Sequence, residues 1–60
     1  MKDNIYIEVP ESDIPNIVKD LELDSQWQDT NRFWSSNLNI IKSDVKKLKA
    51  ANISFRLEAE

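Results

Sequence analysis

Within DSQWQDTNRFW, residues 24–34, two tryptophans and one phenylalanine fall in eleven positions, interleaved with Asp24, Gln26, Gln28 and Asp29. An indole ringed by polar side chains has the composition of a protein-contact anchor, because the ring buries a large apolar area while hydrogen bonds form around it. The same two indoles, Trp27 and Trp34, are also seven residues apart, a spacing that puts both on one face of a helix as packing. Asp20, Glu22 and Asp24 could act as acid and base, but a chain this short has little concavity in which to raise a carboxyl pKa. They read as a solvated acidic surface. Lys46, Lys47 and Lys49 could meet phosphate, although lysines at the C-terminal end of a helix are favoured there by the macrodipole alone. Tyr6 and Phe55 could stack on single-stranded bases, but Phe55 shares the inward face of a strand pattern and reads as core.

Composition removes most other chemistry. The 60 residues contain neither His nor Cys, the side chains on which most metal hydrolysis, thiol chemistry and general acid–base catalysis rely. The expectation is a protein that is not an enzyme and that carries no cofactor, metal site or disulfide. A chain of this length is one domain and buries about 60% of its unfolded surface, so good packing, self-association or a partner must supply its stability. The first residues, MKDNIYIEVPESD, hold acids and no apolar run of signal-peptide length. Nowhere do about 18 apolar residues follow one another. A soluble, cytoplasmic protein without membrane contact is expected.

Net charge is -3, unevenly placed. Residues 1–29 hold eight acids against Lys2 and Lys19, whereas residues 30–60 hold six bases against Asp44, Glu58 and Glu60. Such asymmetry can steer a charged partner. It is too acidic for a dedicated nucleic-acid binder, whose footprint is strongly basic. Glycine is absent altogether, so a primed hairpin turn, a phosphate-cradling loop and a nucleophile elbow cannot be built in the usual way.

The elements that must hold these residues follow from periodicity. Residues 4–9 alternate, with Ile5, Ile7 and Val9 on one face and Tyr6 and Glu8 on the other, and Pro10 ends this first strand. Residues 52–58 repeat the pattern, with Ile53, Phe55 and Leu57 inward. Between them, Ser12 or Asp13 caps a short helix carrying Pro15 in its first turn and Ile14, Ile17, Val18 and Leu21 on one face, ending near Leu23. A longer helix starts at Asp24 or Ser25, or later at Asp29 or Thr30. Its stripe runs Trp27, Trp34, Leu38, Ile41, Val45 and Leu48, with Phe33 and Ile40 beside it, which reads Trp34 as core and leaves Trp27, in the first turn, open between core and contact. Asn52 is the natural left-handed terminator. The fold class is α+β: strand, short helix, long helix, strand, with the terminal strands pairing as a small antiparallel sheet packed on the helices. Its open edges leave room for self-association or a partner strand.

The segment from Asp24 to Phe33 resembles the Asp-x-Gln-Trp-x-x-Thr-x-aromatic segment of the Dmd family, small antitoxins of T-even-like bacteriophages. Size, an N-terminal strand, a long helix after the tryptophan and a short C-terminal strand agree as well. The resemblance implies an inhibitor in the cytoplasm of an infected bacterium that binds a host RNase toxin of the RnlA or LsoA type and protects phage messages by protein–protein contact. It implies a toxin contact at Trp27, and it aligns a partner-contacting Asn of the family's long helix with Ser36, next to Asn37. Asp24, Gln26, Asp29 and Asn31 complete the candidate surface, its carboxylates complementing a basic RNA-binding cleft. A regulator that meets nucleic acid through the lysines, or an inhibitor of another defence nuclease, is the alternative.

Overall fold

The computed structural model describes residues 4–59; the charges of Lys2, Asp3 and Glu60 lie outside them. The first strand, β1 (Ile5–Glu8), is followed by a 3-10 turn (Glu11–Asp13) and helix α1 (Ile14–Asp20). A hairpin of β2 (Gln26–Asp29) and β3 (Arg32–Ser35) comes next, then helix α2 (Leu38–Ala50) and β4 (Arg56–Ala59). The four strands form one antiparallel sheet in the order β2-β3-β1-β4. This is a split βαβ arrangement, in which each helix connects two strands that are separated in the sheet by a third.

The α+β class holds, as does the antiparallel pairing of the first and last strands, with Ile7 opposite Leu57 and Tyr6 opposite Glu58. What differs is the segment read as the start of the long helix. Residues 26–35 form a hairpin, and α2 begins only at Leu38. Local signals permit the hairpin, and burial of Phe33 in the sheet decides it. Phe33 and Ser35 are buried while Arg32 and Trp34 are only partly so, an alternation of period two. Asp29-Thr30-Asn31 is turn chemistry, and Ser35-Ser36-Asn37 is a cap cluster. Asn37 is the N-cap of α2, its Oδ1 accepting the N–H of Asn39 at 2.9 Å, and the Ser35 Oγ accepts the N–H of Asn37 at 3.0 Å.

The hairpin forms without glycine and without a primed turn. Among the described residues only Asn52 has positive φ. Trp27 opposes Phe33 and Asp29 opposes Arg32, so Gln28 is an extra residue in β2. Such a bulge increases the right-handed twist, which lets an ordinary turn join the strands. Asn31 then ties the turn to β1: its carbonyl accepts the Val9 N–H at 3.0 Å and its Nδ2 donates to the Val9 carbonyl at 2.8 Å.

Both helices cover one face of the sheet. Ile7, Val9 and Phe33 meet Ile14 and Ile17 of α1 and Ile41 and Leu48 of α2 in one core, with Ile5, Leu21, Leu23, Val45, Ile53 and Phe55 packed around it. Val18, expected on the inward stripe of α1, is instead 53% exposed, at the side of an open groove floored by Ile17 and Phe33. Leu57 also stays half exposed on edge strand β4. The end of α2 follows expectation. Asn52, at φ 62°, donates its N–H to Lys49 O, and the Ile53 N–H reaches back to Leu48 O, both at 3.0 Å, the Schellman pattern that satisfies the last carbonyls.

Candidate functional site

Trp27 sits in β2, the outermost strand on its side of the sheet, and every residue of that strand is exposed. Its indole stacks on Phe33, with ring centroids 6.3 Å apart and planes inclined by 22°. The Nε1–H donates to the Thr30 carbonyl at 3.3 Å. The ring nevertheless remains 53% exposed. Its polar atom is thus engaged within the hairpin, and what it offers outward is apolar ring surface, a desolvation-driven contact rather than a hydrogen bond.

The other candidates divide along the hairpin. Gln26 lies next to Trp27, near the open end, where Ser36 and Asn37 continue the chain beyond β3. Ser36 is exposed and Asn37 is committed to capping α2. They precede the helix, so the expectation that they lie along it is corrected: the hairpin uses up the residues that a longer helix would have needed. Asp29 and Asn31 lie at the opposite, turn end. Asp29 pairs with Arg32 at 3.7 Å, and the Asn31 side chain is held by Val9. Asp24 lies just before β2, its carboxylate 3.9 Å from Lys47 Nζ. Asp24 and Trp27 therefore lie toward the helix-covered side, Gln26, opposite Trp34, faces the other side of the sheet, and Asn31 is chiefly structural.

Trp34, read as core on a helical stripe, is corrected by the register. It is the partner of both Tyr6 and Gln26, on the sheet face that the helices do not cover, and Phe33 takes the core position. That uncovered face also carries Arg32, whose guanidinium lies 4.5 Å from the centre of the Tyr6 ring. Arg32 lies 3.5 Å from Glu58, and Arg56 lies 3.9 Å from Glu8. Each exposed pair contributes about 1 kcal/mol or less, but together they neutralise the face.

Sequence reading missed the residue that holds the site in place. Asp44 of α2 is completely buried, and its two carboxylate oxygens accept the N–H groups of Asp24 and Ser25, each at 2.9 Å. Lys47, one turn later, reaches the Glu22 carbonyl and Asp24, so this lysine is no longer free to meet phosphate. The available signal was Asp44 itself, an acid within the apolar stripe between Ile41 and Leu48.

No helix is long and apolar enough to cross a membrane, and no group of three or more acids is placed to hold a metal, both among the described residues. Compared with known proteins, the chain matches no family model, no curated protein and no solved structure.

Proposed function

We infer that this chain is a small inhibitor of the phage antitoxin type, which binds an RNase toxin of the RnlA or LsoA kind by surface contact and performs no chemistry of its own. The observation that carries this reading is the half-exposed indole of Trp27 on a free edge strand, inside the segment that resembles the Dmd antitoxins. A large rigid ring whose N–H is already satisfied loses little on desolvation, which suits it to anchor a contact. Carboxylates at Asp20, Glu22 and Asp24 give the flanking chain the sign that a basic RNA-binding cleft attracts. The lack of His and Cys supports stoichiometric blocking over catalysis. The test is capture of purified toxin by the full chain and by Trp27→Ala. Undiminished capture by a folded Trp27→Ala protein sinks the reading.

One observation favours a second reading. Tyr6 and Trp34 are neighbours on the two central strands, on the uncovered face of the four-stranded sheet, where aromatic side chains can stack single-stranded bases. Glu8, Glu58 and Asp29 accompany Arg32 and Arg56 there, leaving no positive excess to hold phosphates, so the protein contact stands first. A gel shift at low and high salt separates the two, since a phosphate contact weakens steeply with salt.

A further inference from the structure

Beside Trp27, a groove of about 320 Å³ opens between α1 and β2. Ile17 and Phe33 form its buried floor, Leu21 and Leu23 are partly buried, and Val18 and Trp27 stand half exposed along it. One lining group is out of keeping with the rest. Ser25 is 8% exposed, and although its N–H is taken by Asp44, its Oγ has no hydrogen-bond partner. Buried hydroxyls are almost always paired, because an unpaired one forfeits its bonds to water without replacement. The Oγ itself has less than 1 Å² exposed, so it is sealed into the wall of the groove and offers no contact to an occupant.

Two further features define the occupant. β2 pairs with β3 on one side only, so its other side offers backbone N–H and C=O groups to a further strand. A strand added there directs alternate side chains to the face on which Trp27 and the groove lie. Glu22 lines the groove itself and its carboxylate makes no ion pair among the described residues.

We propose that the groove receives an aliphatic side chain from an extended, lysine- or arginine-bearing segment of a partner protein, which pairs with the free edge of β2. This rests on the reading of Trp27 as a contact residue and names the element that meets it. The strand supplies main-chain hydrogen bonds, the groove selects an apolar side chain, and Glu22 selects the charge beside it.

The experiment is selection of random dodecapeptides displayed on phage against the full chain, followed by amide chemical-shift mapping and affinity measurement with the best synthetic peptide. Enriched peptides should share an aliphatic residue flanked by Lys or Arg and perturb the amides of Ser25–Asp29. Their affinity should fall about tenfold in Val18→Asn and about fivefold in Glu22→Gln. Val18→Asn and Glu22→Gln alter exposed positions, and circular dichroism verifies their folds. The proposal is overturned if no peptide is enriched, if both variants bind the peptide undiminished, or if the shifts map to β4 or to the Tyr6–Trp34 face. It is also overturned if the chain dimerises through β2 and thereby excludes the peptide, since the occupant is then a second copy. Toxin capture that is lost in Trp27→Ala but intact in Val18→Asn and Glu22→Gln would refute the groove and keep the inhibitor reading. Peptide binding without toxin capture would do the reverse.

Discussion

Trp27 and Phe33 face each other across the hairpin with their rings stacked 6.3 Å apart, yet Phe33 is buried and Trp27 is half exposed. One aromatic pair thus joins the core to the surface. Packing of Phe33 against Ile7 and the helices fixes the inner ring, and the outer ring is held against it without being covered.

Trp27→Ala should therefore separate contact from folding. The lost stacking and half-buried area amount to about 1–2 kcal/mol, because Phe33 and the rest of the core remain. Urea unfolding should show a lowered midpoint with an unchanged slope, while the inhibitor function proposed above requires that toxin capture disappear. Trp27→Phe should recover most of the stability and part of the binding.

Asp44 should prove the most sensitive polar position. Removing its carboxylate in Asp44→Ala leaves the N–H groups of Asp24 and Ser25 without acceptors in a buried setting, at a cost of about 2–4 kcal/mol. For so small a domain that is much of the total stability. Asp44→Asn keeps one acceptor oxygen and should cost less. Hydrogen exchange at Asp24 and Ser25 is the readout, and unchanged protection in Asp44→Ala would contradict the role given to it.

Ser25→Ala should act in the opposite sense on the free protein. Deleting a buried hydroxyl that makes no hydrogen bond removes its desolvation cost, and a gain of about 1 kcal/mol is expected in thermal or urea unfolding. A loss of stability would mean that the hydroxyl is paired in the free chain.

Asn52 occupies the left-handed conformation that ends α2. Asn52→Gly relieves residual strain in the folded chain but loosens the unfolded one, so the two effects nearly cancel. Asn52→Val places a β-branched side chain where it is disfavoured and should cost about 1–2 kcal/mol. Equal stabilities of the Gly and Val variants would refute this account.

Asn31 bridges the hairpin turn to Val9 through both its carbonyl and its side-chain amide. Asn31→Ala keeps the first bond and loses the second, leaving the partly buried Val9 carbonyl without that donor, at about 1 kcal/mol. Faster amide exchange in Asp29–Arg32 should accompany it, with β4 unaffected.

Much of the fold was legible from the chain alone, wherever a short-range period met an unambiguous stop. Ile5, Ile7 and Val9 alternate up to Pro10; Ile41, Val45 and Leu48 keep helical spacing up to Asn52; and the α+β class follows from these. The acidic and polar surroundings of Trp27 also marked it as a contact candidate, since composition is visible without coordinates. Residues 24–37 were not decided in this way. Trp27, Trp34 and Leu38 satisfy a helical stripe, while Phe33 and Ser35 satisfy a strand alternation, and the two periods overlap over so few residues that neither excludes the other. Tertiary structure resolved the choice, because a β3 strand can pair with β1 and bury Phe33 against Ile7, which the helix cannot do. The same pairing moved Trp34 to the uncovered face, made β2 a free edge and brought Asp44 under Ser25 from 19 residues away. Contacts at that separation have no local signature; they arise only when the sheet and α2 close on each other.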